Sequence, residues 1–192
     1  MKWIYAILII VQVTTLHAQV TVSVQWQKED KGGVNDTTFY AKNRKLEWKD
    51  FRGRPDVGSD AAAITASGFG YLLAMHSINR RTSFVVSVYC FYDKQHSWVK
   101  PGMQSDYALL HEQHHFDITY INTCAFMEKL RTARFSLSNY REVIDRIYSQ
   151  SYNALENMQN DYDGQTKNGQ LKSVQLLWNK KVDADLFRII RD

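Results

Sequence analysis

Apolar and polar positions along the chain change their period about halfway. From Val20 to Trp26 they alternate on β-branched residues, a pattern that predicts a strand. Residues 61–77 are small, β-branched and aromatic, with Gly68 and Gly70 arguing against helix, and Thr82–Tyr92 gives a stronger strand signal. Asn79-Arg80-Arg81 between them is read as a hairpin connection, and Lys28–Gly33 as a polar turn. Leu46–Asp56 is dense in aromatics, charges and turn formers, so a loop held to the core by Trp48 and Phe51 is expected there.

Beyond Pro101-Gly102 the period becomes that of a helix. Ser105 can cap it, Asp106 suits its first turn, and Leu110, His114, Ile118, Ile121 and Ala125 follow at spacings of three and four, to an end near Arg134. A second helix is predicted from about Ser138, with Ile144, Ile147, Tyr148, Ser151, Leu155 and Met158 on one face. Asn160–Gly169 is a loop by composition, and Leu171, Val174, Trp178, Val182 and Ile189 mark a last helix. Strands first and helices afterwards predict an α+β fold, a small antiparallel sheet packed against one helix and followed by two C-terminal helices. The apolar stripe of the first helix should face the sheet.

The chain has 192 residues, 44% of them hydrophobic, which suits one domain and is short for two. Met1-Lys2, the apolar run Trp3–Val11 and Ala18 form the pattern of a signal peptide over residues 1–18, leaving a domain of residues 19–192. A periplasmic or secreted location follows, with no stable membrane insertion after cleavage, because no later stretch approaches the length of a span. The formal net charge is +4, and Lys2 is the one charged group in residues 1–18. With acids and bases interleaved, nothing resembles a nucleic-acid footprint. Cys90 and Cys124 are the only cysteines, and in an oxidising compartment they either pair or stay as buried thiols.

The chemistry lies in the first predicted helix. His111-Glu112-Gln113-His114-His115 has the form H-E-x-x-H. At about 100° per residue, His111 and His115 share nearly one face, where two imidazoles can reach one ion with Glu112 beside it. His114 falls within the apolar stripe, which suits packing or hydrogen bonding rather than ligation. Asp117 points roughly 160° away from His115 and serves the fold. Two neutral imidazoles and one further protein ligand hold Zn2+ while leaving a position for water, whose pKa falls to about 7. Glu112 is then the general base, and a peptide bond in a protein or peptide substrate is the target.

A third ligand is not evident from spacing. His76 and His96 belong to the β half, and Glu128 lies roughly 20 Å along the same helix. Asp161 and Asp163, in a loop able to fold back, are the better candidates. Two other readings share the motif: a non-catalytic envelope binding module with a degenerate metal site, and a structural metal closed by four protein ligands.

The chain resembles an uncharacterised bacterial family of predicted secreted zinc-dependent proteases of the HExxH zincin type, a domain of unknown function. The resemblance rests on Leu46–Asp56, Thr65–Gly68, Ser97–Lys100, Leu110–Ile118 and Tyr162–Thr166. It implies a zincin-like metallopeptidase with His111 and His115 as zinc ligands and Glu112 as catalytic base. Two positions depart from the family pattern: Tyr120, where an acid is frequent, and Asn168, where a histidine is frequent. Where that histidine would bind metal in relatives, this chain would bind metal weakly, use Asp163 instead, or be an inactive binding relative.

Overall fold

A computed structural model describes residues 20–27, 36–79 and 81–191. The expected signal peptide and the polar turn at 28–33 lie outside these residues.

β1 (Val20–Trp26), β2 (Thr37–Phe39), β4 (Ser67–Ile78) and β5 (Arg81–Asp93) form one sheet organised around β5. β4 and β5 pair antiparallel, Ser67 opposite Tyr92 and Ile78 opposite Arg81, so the expected hairpin is present. β2 also runs antiparallel to β5, but β1 runs parallel to it, Val20 opposite Thr82. The sheet is therefore mixed, not wholly antiparallel as expected. Alternation along Val20–Trp26 shows which side chains face inward and carries no information on strand direction. Two short strands, β3 (Ala63–Ile64) and β6 (Trp98–Val99), make a separate antiparallel pair beside the first.

The three helices are α1 (Asp106–Thr132), α2 (Tyr140–Thr166) and α3 (Lys172–Arg191). Ser105 caps α1, its hydroxyl accepting from the Ala108 N–H at 3.1 Å. The buried side chains of β5, among them Phe84, Val86, Val88, Cys90 and Tyr92, meet the underside of α1 at Phe116, Ile118 and Phe126. Ile144, Ile147 and Leu155 of α2 and Trp178 and Val182 of α3 close the other side, on the faces the periodicity predicted.

α1 is enclosed by sheet, α2, α3 and the 40–51 segment, and His111 to Tyr120 is buried without interruption. No simple apolar stripe runs along it: Leu110 is 43% exposed and Ala125 is exposed as well, contrary to expectation. A second correction concerns Asn160–Gly169. α2 continues through Thr166, with Tyr162 and Thr166 fully buried, and a left-handed turn at Lys167, Asn168 and Gly169 ends it. Trp48 and Phe51 pack ring against ring at 4.9 Å in a tilted pair and hold their loop to the core as expected. Cys90 and Cys124 are free thiols, the first fully enclosed. Among the described residues no helix is long and apolar enough to cross a membrane.

Candidate metal centre

One helical turn separates His111 from His115, so both rings leave α1 toward the facing turn of α2. There Asp163 stands one turn beyond Gln159, fixed on a helix rather than on the expected loop. The Nε2 atoms of His111 and His115 are 3.2 Å apart, and Asp163 Oδ1 lies 3.1 Å from the first and 3.0 Å from the second. These three are the His, Cys, Asp and Glu side chains that the described residues bring together in metal-binding geometry. Asp161, the alternative candidate, is solvent-exposed on the same helix and takes no part. Asn168 lines the adjoining cleft.

The ring orientations are set from behind. Gln175 Oε1 accepts from His111 Nδ1 at 2.8 Å, and Gln159 Oε1 from His115 Nδ1 at 2.5 Å. Each amide is itself fixed: Gln159 Nε2 donates to the His115 carbonyl, and Gln175 Nε2 to Tyr162 Oη and Asn179 Oδ1. Their oxygens must therefore face the imidazoles, which places a proton on each Nδ1 and turns both Nε2 atoms toward Asp163. Tyr162 completes the mounting. It stacks on His111 at 4.6 Å, meets His115 edge-on at 4.9 Å, and its hydroxyl donates to the His111 carbonyl.

Two imidazole nitrogens and a carboxylate oxygen converging on one point call for positive charge between them, which a proton on Nε2 or a metal ion can supply. The electrostatics agree in direction: burial works against a charged His115, yet the hydrogen bond to Asp163 and the nearby Glu112 and Asp163 charges hold its pKa up at about 9. Burial likewise opposes ionisation of Asp163, and hydrogen bonds from His111 and His115 hold it well below the ordinary carboxylate range. The triangle also has the size of a metal site. Tetrahedral zinc spaces its ligand atoms by about 3.3 Å, close to the separations of His111 Nε2, His115 Nε2 and Asp163 Oδ1.

Glu112 is 4% exposed, and its Oε2 has no hydrogen-bond partner among the described residues. A buried carboxylate oxygen left free costs stability, and such groups mark places where a ligand or a proton is handled. Its backbone carbonyl accepts from Thr65 Oγ1 at 3.2 Å, which ties this turn of α1 to the segment between β3 and β4.

The chain matches no family model, no curated protein and no solved structure.

Glu112, His111, His115 and Asp163 open into a cleft of about 460 Å³. Residues 61–66, mostly alanine, form one wall and the Leu155–Gln159 turn of α2 the other. His114 points away from the cleft, packed and bonded through Nδ1 to Asp117 at 3.3 Å. Asp117 serves the fold as expected: Tyr40 Oη and Gln113 Nε2 also donate to it, and Gln113 Oε1 accepts from the Leu46 N–H. Gln159, Tyr162 and Gln175 went unrecognised in the sequence. Their residue types carry no metal signal, and they lie 44, 51 and 64 positions from the backbone or ring they support.

Proposed function

We propose that the chain is an exported zinc-dependent metallopeptidase of the HExxH kind, with His111, His115 and Asp163 as metal ligands and Glu112 as general base. One observation carries this reading: two imidazole nitrogens and a carboxylate oxygen, each about 3 Å from the others, beside a buried carboxylate oxygen without a partner. The donor set, two nitrogens and one oxygen, is that of catalytic zinc sites that keep a place for water. Bound there, a zinc ion would supply Lewis acidity to that water and to a substrate carbonyl.

The protein's own groups divide the remaining work. Gln159 and Gln175 keep both imidazoles in the tautomer that offers Nε2. Glu112, within α1 and shielded from solvent, takes a proton from the attacking water on its free Oε2 and returns it to the departing amine. β3 is paired on one side, by β6, and lines the cleft, so an extended peptide can add to its other edge. That favours a peptide over a compact small molecule. The binding-module alternative is motivated by the missing third histidine, and Asp163 beside both imidazoles supports the metallopeptidase reading over it.

Two measurements test the proposal. Purified protein should bind one zinc per chain by elemental analysis, and Glu112→Gln should keep the metal while losing at least about 100-fold in turnover of casein or a peptide library. Absence of zinc, or undiminished hydrolysis by Glu112→Gln, would refute it.

A further inference from the structure

The distal half of the β4–β5 hairpin takes no part in the cleft. Between Asp60 and Asp93 the chain has no acidic residue, and its only Lys or Arg residues there are Arg80 and Arg81. β4 pairs with β5 on one side and has no strand on the other among the described residues. Near the core it is covered: Phe69 is 3% exposed and packs on Tyr148 of α2. Further out the cover ends. Leu72, Leu73, Met75 and Ile78 are 55%, 38%, 57% and 72% exposed.

Strand alternation puts Leu73 and Met75 on the helix side and Leu72 and Ile78 on the opposite side. The free edge is thus apolar on both faces. Proteins usually blunt such an edge with lysine, proline, a bulge or a short strand, yet Ser67–Ile78 runs for 12 residues with no charged residue and no proline. A surface of this kind is costly in water unless something covers it.

Charge indicates what does. The patch ends on Arg81 with no acid in the distal half of the hairpin to answer it, which complements an anionic surface. A second copy fits less well, because β4 offers no acid to pair with Arg81.

We propose that the free edge of β4 and the adjoining turn form a peripheral docking surface for an anionic lipid bilayer. Leu72, Leu73, Met75 and Ile78 enter the boundary between headgroups and acyl chains, and Arg81 meets lipid phosphates. The strand lies along the interface, where water still satisfies its outer N–H and C=O groups, and does not cross the hydrocarbon. This places a cleft in the same fold close to membrane-bound peptide substrates, but the proposal does not depend on the metal centre.

The test uses the full chain with vesicles of phosphatidylcholine, with and without about 30% phosphatidylglycerol. An environment-sensitive fluorophore on Ile78→Cys should shift to the blue on anionic vesicles, whereas one on Leu137→Cys, exposed in the connection between α1 and α2, should not. Leu72→Ser with Ile78→Ser should weaken vesicle partition about tenfold, and Arg81→Glu several-fold, without lowering the melting temperature, since all three side chains are exposed. Three results would overturn the proposal: no shift of the Ile78 probe, an equal shift on vesicles lacking phosphatidylglycerol, or a dimer in sedimentation that Leu72→Ser with Ile78→Ser dissociates.

Discussion

Replacing Asp163 by alanine isolates the contribution of the third ligand. The substitution removes the one oxygen that sits 3.0–3.1 Å from both imidazole nitrogens, and leaves two nitrogens 3.2 Å apart as the entire protein donor set. Loss of a partner that only orients a ligand already weakens metal binding about 10–100-fold, so loss of a ligand should cost at least about 100-fold. The consequence for stability follows by linkage. Zinc at about 100 times its dissociation constant stabilises the folded state by about 2.7 kcal/mol, and after a 100-fold loss of affinity the same concentration gives only about 0.4 kcal/mol. For a domain of this size the difference amounts to roughly 5–9 °C of zinc-induced rise in Tm. The quantity to read is that rise, with zinc against chelator, because Asp163 also neutralises a protonated His115 in the metal-free protein and its loss shifts the baseline. Scanning fluorimetry should show the zinc-induced rise in the parent protein, its near disappearance in Asp163→Ala, and its retention in Asp161→Ala. A full rise in Asp163→Ala, or its loss in Asp161→Ala, would refute the assignment.

Three further outcomes follow from individual contacts. Gln159→Leu removes the acceptor that fixes His115 Nδ1 and should weaken zinc binding about 10–100-fold in calorimetric titration while the helical circular dichroism is kept. Asp117 is buried, which opposes its ionisation, but hydrogen bonding to His114, the Lys45 charge, the Tyr40 hydroxyl and the Gln113 amide hold its pKa below the ordinary value. A carboxyl lowered in the folded state gives stability that is complete above its unfolded pKa and is lost as pH falls through that value toward the folded one. Urea unfolding between neutral pH and pH of about 3 should therefore show a smaller acid loss in Asp117→Asn, which starts from a stability lower by roughly 3 kcal/mol. Gly169 has φ +79°, and a Cβ there would stand 3.2 Å from His111 Nδ1, so Gly169→Ala should cost about 1–2 kcal/mol in denaturant unfolding and weaken zinc binding.

The parts legible in the sequence are those that local chemistry decides. Ser105 has a hydroxyl for the first turn of α1, and the β4–β5 hairpin follows from two β-rich runs around Asn79, whose φ of 49° is one asparagine tolerates. The two-histidine face is a matter of helical geometry alone. Direction of β1 was not legible, because pairing with β5 in parallel is decided by the intervening chain. The extension of α2 through Asp161, Asp163 and Gly164 runs against composition, and tertiary burial of Tyr162 and Thr166 prevails over local propensity. That same extension turned Asp163 from a residue on a supposed flexible loop into a fixed donor. α1 escaped the simple stripe reading because its buried face is polar: Gln113, His114, Asp117, Thr119 and Thr123 are enclosed yet bonded to partners across the fold or along the helix.

The central claim is that His111, His115 and Asp163 hold a metal whose remaining position faces Glu112. Zinc-edge anomalous diffraction from crystals grown with zinc tests it most directly. The expected map shows one ion about 2.0–2.1 Å from both Nε2 atoms and an Asp163 oxygen, with a water between the ion and Glu112 Oε2. An ion enclosed by four protein ligands, or no ion at these three residues, would contradict the account.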